Sequence, residues 1–170
     1  MTFKIFGAIM VILGCACVGF QKAAAQNREV KMLEHLYAML EYMQWELQFR
    51  RPPLPALCRK VAEQVSGLLH NLFLHLADEL ERQISPDVES CMHASLCQFS
   101  GIPASIQECV KMLSKNLGQF DVEGQVGGIE AVRVACKSML ETLNDNKADR
   151  LRSYRILGIC AGVAIVIIFI

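Results

Sequence analysis

Proline and aromatic residues are scarce in this chain, with five prolines, three tyrosines and one tryptophan in 170 residues. That scarcity argues against a β-sandwich or barrel, and the abundance of Leu, Ala, Glu, Met and Gln points to helices. Net charge is missing too: 17 basic residues stand against 17 acidic ones, so no electrostatic excess draws the chain to nucleic acid. His35, His70, His75 and His93 never take the HExxH spacing that sets two imidazoles and a general base on one helix face. Gly124, Gly127 and Gly128 lack the lysine and preceding strand of a phosphate loop. Nor is there a disulfide framework: of eight cysteines, Cys15, Cys17 and Cys160 lie in apolar end runs, and the remaining Cys58, Cys91, Cys97, Cys109 and Cys136 are odd in number and irregular in spacing. They read as reduced thiols used as small apolar residues. Cys91, His93 and Cys97 are the best metal candidates, yet they offer neither a tight ligand pair nor a second half. Catalytic residues, a cofactor, a metal and a small-molecule substrate are therefore not expected.

Charge is present only away from the ends. From Ile5 to Phe20 and from Ile156 to Ile170 there is no Asp, Glu, Lys or Arg. At ~1.5 Å per residue each run covers roughly 23 Å, somewhat short of a hydrocarbon core of about 30 Å. Phe3 and the alanines Ala23 to Ala25 lengthen the first run, and Tyr154 gives the second an interfacial ring. The first run admits three readings: a signal peptide ending at Ala25, a lipoprotein signal cut before Cys15, or an uncleaved anchor. A lipoprotein continues from its cysteine into a polar tether, whereas Ala16 to Phe20 stays apolar. The anchor reading also agrees with the flanks. Lys4 precedes the first run and Lys22, Arg28 and Lys31 follow it, while Lys147, Arg150, Arg152 and Arg155 precede the second. By the positive-inside rule both asymmetries put Gln21 to Ser153 in the cytoplasm. The expected division is a transmembrane helix over 1–22 and another over 154–170 in a lipid bilayer, with a helical domain over 23–153. Lys4, Lys22, Arg152 and Arg155 mark the membrane boundaries.

Within the central domain, apolar residues recur at helical steps. Val30, Leu33, Leu36, Tyr37, Leu40, Met43 and Leu47 predict a helix that stops at Arg51, before Pro52 and Pro53. A short helix from Leu54 carries Leu57, Val61 and Val65, and Ser66 and Gly67 separate it from a third with Leu69, Leu72, Phe73, Leu76 and Leu80. Ser85 and Pro86 read as N-cap and first turn of a fourth helix ending near Gly101. Ser105 to Glu108 spells a capping box for a fifth, and Asp121 caps a sixth after Gly118. Ile129, Val132, Cys136, Met139 and Leu143 step by three and four along that last helix, as a packing seam does. Gly127 and Gly128 weaken it by about 1 kcal/mol each, so close packing is expected there. The predicted fold is all-α, an antiparallel bundle of about six helices between N- and C-terminal transmembrane helices.

Several stretches together resemble the stage III sporulation protein AB family of endospore-forming bacteria, over essentially the whole chain. They are a first helix with Leu36, Leu40, Glu46 and Leu47, the turn RRPPLPALCRKVA, the residues Leu117, Gly118, Asp121 and Gln125, and the terminal LRSYRILGICAGVAIVIIFI. The family's acidic residue after Pro-Leu-Pro is absent, since Ala56 follows Pro55 directly. The resemblance implies a domain similar to the cytoplasmic F domain of type II secretion and type IV pilus platform proteins. It implies an inner-membrane part of a channel between mother cell and forespore, with other stage III sporulation channel proteins and a secretion-type ATPase as partners. On this reading the chain is a non-catalytic platform in the mother-cell membrane facing the forespore, docking that ATPase. Pro52, Pro53, Leu54 and Pro55 form a candidate partner contact, because a rigid loop loses little entropy on binding; a plain interhelix turn is the simpler reading. The alternative from another class is a two-span sensor or signalling module with an extracytoplasmic bundle. A third, a metalloenzyme on Cys91 and His93, would carry stoichiometric zinc.

Overall fold

In the computed structural model the backbone is described for residues 2–83, 87–118 and 121–169, and the side chains for 24–83, 87–118 and 121–145. Among the described residues there are six α-helices and no strand: α1 (Thr2–Phe49), α2 (Leu54–Glu63), α3 (Leu68–Arg82), α4 (Val88–Gln98), α5 (Ala104–Asn116) and α6 (Val122–Phe169). The chain divides into two compact units, Lys31–Leu140 on the one hand and Met1–Val30 with Glu141–Ile170 on the other. In the second unit the backbone is helical, but nearly all side chains lie outside the described residues. The apolar runs of the sequence, Cys15, Cys17 and Cys160, and the flanking Lys4, Lys22, Arg152 and Arg155 all fall there. Among the described residues no helix is long and apolar enough to cross a membrane.

The unit Lys31–Leu140 is a helical bundle whose core follows the three-and-four spacing of its sequence. On α1, Leu33, Leu36, Leu40, Met43 and Leu47 are buried, because those steps return to one face of a 3.6-residue helix. Leu57 and Val61 of α2 and Leu69, Leu72, Phe73 and Leu76 of α3 are buried against the same core; α2 packs chiefly on α3, α3 on α4 and α4 on α5. Ile129, Val132 and Cys136 bury the first half of the α6 seam, whereas Met139 and Leu143 are only half-buried. Polar ties run between the helices as well. Arg59 of α2 donates to Asp78 at 2.7 Å and to both oxygens of Glu81 at 2.8 and 3.0 Å on α3. Arg133 of α6 pairs with Glu130 at 2.8 Å and with Glu41 of α1 at 3.9 Å, and lies 5.7 Å from the Tyr37 ring centroid.

Helix ends correct the sequence reading at α4 and α5. Ser85 and Pro86 lie outside the described residues, and the cap of α4 is Asp87, whose carboxylate accepts from the Ser90 N–H at 3.2 Å and the Ser90 hydroxyl at 2.7 Å. That helix also ends at Gln98 rather than near Gly101. The capping box of Ser105 and Glu108 does not start α5, because the N-cap lies two residues earlier. Pro103 occupies the N-cap, with φ −57° and ψ 149°, and its carbonyl accepts from Ile106 and Gln107 at 3.1 and 3.0 Å. Ser105 therefore sits inside the first turn, where a hydroxyl cannot serve as N-cap. At α6 the expected cap is present: Asp121 Oδ1 accepts from the Gly124 N–H at 3.0 Å.

Candidate docking surface at the proline turn

The sequence between α1 and α2, Arg51 to Pro53, leaves the backbone little freedom. The carbonyl of Glu46 accepts from both the Arg50 and Arg51 N–H groups, at 2.9 and 3.0 Å, and so closes α1. Arg51 then turns into the left-handed region at φ 49°, a conformation that costs a residue with a Cβ on the order of 1 kcal/mol. The next two residues are prolines, which have no N–H to continue a helix and fix φ near −65°. Pro53 is the N-cap of α2 and accepts from the Leu57 N–H at 3.0 Å. Pro55 falls in the first turn, where its missing N–H has no intrahelical partner to lose. Of the residues expected to contact a partner, Pro53 is exposed and Pro52, Leu54 and Pro55 are half-buried.

Beside this turn stands a buried carboxylate. Glu46 is 1% exposed, and it accepts from the Tyr42 hydroxyl at 2.9 Å and from Lys60 Nζ at 3.1 Å, with Arg50 Nη1 at 3.4 Å. Burial alone would push its pKa up, but hydrogen bonds from Lys60 and Tyr42 and the charges of Lys60 and Arg50 outweigh that and hold it below the ordinary value. Tyr42 is pushed the other way, chiefly because its proton is engaged by Glu46. Since Lys60 belongs to α2, the carboxylate fastens α2 to the end of α1 across the turn.

Next to this carboxylate on α1, two aromatic rings face solvent. Trp45 is 47% and Phe49 66% exposed, one helical turn apart, with ring centroids 5.5 Å apart at 44°. The Arg50 guanidinium lies 5.5 Å from the Trp45 ring centroid, within cation–π range. Val134, 60% exposed on α6, is the third large apolar residue that is exposed among the described residues. Sequence periodicity passed over Trp45 and Phe49 because they fall between the buried positions Met43 and Leu47 and beyond them. That position off the seam was itself the signal, since the one tryptophan of the chain sits where a core residue does not.

The remaining candidate residues do not converge. Cys91 is buried while His93 and Cys97 are exposed, with His93 Nδ1 3.7 Å from Cys97 Sγ. His70 bonds the Ala62 carbonyl at 2.8 Å and His75 the Ser95 hydroxyl at 3.0 Å. Among the described residues no three His, Cys, Asp or Glu side chains are grouped to hold a metal ion. Gly128 is closely packed, since a Cβ there would lie 2.5 Å from Asn116 Cβ, whereas Gly127 has nothing within 4 Å.

Comparison with known proteins gives a consistent answer. The family model of stage III sporulation protein AB matches residues 4–170. The stage III sporulation protein AB of Bacillus subtilis (strain 168) is 20% identical over 168 residues, which cover 97% of this chain and 98% of that protein. A solved structure of stage III sporulation protein AB is similar with a TM-score of 0.62 at 18% identity, over 69% of this chain and 94% of that one, a likeness of fold. That family is a sporulation family and not a known enzyme family. With a match that runs from Lys4 to the last residue, the chain belongs to the stage III sporulation protein AB family and is thereby implicated in sporulation.

Proposed function

We propose that the chain is a non-catalytic membrane platform of a secretion-like complex between mother cell and forespore, on which a secretion-type ATPase docks. Transmembrane helices over 1–22 and 154–170 hold the domain 23–153 at the cytoplasmic side of the mother-cell membrane, and other stage III sporulation channel proteins assemble beside it. The observation that carries the docking role is the exposed pair Trp45 and Phe49 beside a turn fixed by Pro52 and Pro53. Large aromatic side chains left in water next to a rigid backbone are the material of binding hot spots. Family membership supports the sporulation setting, and the apolar runs flanked by Lys22 and Arg155 support the two anchors. A domain held at both ends keeps an ATPase at the membrane and oriented, which raises the effective concentration of every later contact.

The test is a deletion of residues 21–153 that leaves both apolar runs joined by a short linker, expressed in sporulating cells. Recruitment of the secretion-type ATPase to the membrane fraction is expected to disappear. Undiminished recruitment would overturn the platform reading.

A further inference from the structure

We infer that Trp45, Phe49 and Arg50 are the contact site itself, and that they receive an acidic protein segment carrying aliphatic side chains beside its carboxylates. The inference rests on the platform reading and names the chemistry of what docks. Three observations carry it. The two rings lie against each other, centroids 5.5 Å apart and tilted at 44°, and remain 47% and 66% exposed, so they offer a ledge of adjoining apolar surface that an aliphatic side chain can cover. One cation lies on that ledge, Arg50, 5.5 Å from the indole centroid; Arg51 follows it exposed at the turn, and Lys60, 38% exposed on α2, shares the Glu46 carboxylate with Arg50. Two carboxylates stand near them: Glu46, which is 1% exposed and faces Tyr42, Lys60 and Arg50 rather than solvent, and the exposed Glu63 at the end of α2, which acts on Tyr42 and is outnumbered by Arg50, Arg51 and Lys60. The turn and its clasp therefore present positive charge outward, and a partner complementary to it is negative.

A protein segment is favoured over an anionic lipid surface by how the cation is held. Arg50 is fixed from two sides, by Glu46 at 3.4 Å and by the Trp45 ring, on a helix end closed by the Glu46 carbonyl and followed by two prolines. Such an arrangement has already lost much of its side-chain and backbone freedom before anything binds, which favours a ligand whose carboxylates are themselves at fixed positions. A fluid headgroup layer gains little from it, since polybasic attraction to lipid needs charge rather than geometry.

The chain has one tryptophan, so 5-fluorotryptophan places a single fluorine reporter in the middle of the site. The experiment uses the full chain in nanodiscs of uncharged lipid, titrated with the purified secretion-type ATPase from the same sporulating cells. The fluorine resonance is expected to move as the ATPase binds. The double substitution Trp45→Ala with Phe49→Ala, read by a tag on the ATPase, is expected to weaken binding at least roughly tenfold, and Arg50→Glu to weaken it and flatten its dependence on salt. Phe49 and Arg50 are mostly exposed and Trp45 about half so, and none belongs to the buried core, so circular dichroism of the variants should match the parent. Binding of the ATPase that leaves the resonance and the double variant unaffected would overturn the site while leaving the platform standing. No binding to the parent chain would overturn both. A shift produced equally by vesicles rich in phosphatidylserine, without protein, would assign the ledge to lipid and overturn the acidic segment.

Discussion

Adjacent glycines on α6 allow the packing between α5 and α6 to be measured with one type of substitution. Gly127 and Gly128 are both inside the helix, so replacing either with alanine gains about 1 kcal/mol of helix propensity. At Gly127 nothing stands within 4 Å of the new Cβ, and that gain is realised in full. At Gly128 the new Cβ would lie 2.5 Å from Asn116 Cβ, 2.6 Å from its Cγ and 2.9 Å from its Oδ1. Asn116 cannot simply swing aside, because its Cβ is fixed to the end of α5 and its Nδ2 donates to the Met112 carbonyl at 2.9 Å. Overpacking of this kind costs about 1–3 kcal/mol. The two single variants should thus differ in stability by about 1–3 kcal/mol, Gly127→Ala above the parent and Gly128→Ala at or below it. For a unit of this size that is a gap of roughly 4 °C per kcal/mol in thermal midpoint, followed by helical circular dichroism. Asn116→Gly in the Gly128→Ala background should narrow the gap by removing the obstructing Cβ. Equal midpoints for the two alanine variants would refute the close approach of α5 to α6.

Two further predictions follow from the titratable groups. Cys58 is fully buried and burial pushes its thiol up to about 12, whereas Cys97 is exposed. Maleimide at neutral pH should therefore label Cys97 within minutes and Cys58 only after denaturation, as read by peptide mass spectrometry; comparable rates would contradict the packing of α2. Glu46, Glu81 and Glu130 are all held below the ordinary carboxylate value of 4.5, each by hydrogen bonds from Lys or Arg partners, with Tyr42 adding one at Glu46. A depressed folded pKa stabilises the native state above the unfolded value, and that stabilisation drains away as pH falls through the folded one. Urea midpoints should fall below about pH 4.5, and Glu46→Gln should flatten part of that fall; parallel curves for parent and variant would show that Glu46 is not ionised in the fold.

The helices were legible because burial imposes its own period. Leu33, Leu36, Leu40, Met43 and Leu47 announce a buried face whatever they pack against, and all five are buried. The proline turn was legible for a similar reason, since Pro52 and Pro53 act on the backbone directly. Caps were harder where motifs overlap. Ser85, Pro86 and Asp87 offer adjacent start signals for one helix, and the choice of Asp87 lies in its bonds to Ser90. Pro103 and Ser105 compete likewise, and the proline at the N-cap puts the serine too far in. Trp45 and Phe49 were missed because a search for periodic apolar residues discards what falls off the period. Glu46 could not be read as buried at all. Its partner Lys60 is 14 residues away in sequence and near only once the turn has brought α2 back.

That buried carboxylate bears on what the proline turn is for. A carboxylate removed from water among a lysine, an arginine and a tyrosine is not an economical way to hold two helices together, since apolar residues of similar volume hold them as well or better. What the ionic arrangement adds is direction. An apolar contact between α1 and α2 would leave Arg50 free to sweep the solvent, whereas Glu46 at 3.4 Å restrains it beside the indole ring. The left-handed Arg51 and the two prolines then fix where the chain leaves α1. Each of these features costs stability or freedom locally, and each restricts the same few side chains. A turn needed only to join two helices would be served by a flexible polar loop. The geometry of this one fits a surface that must be in place before its partner arrives.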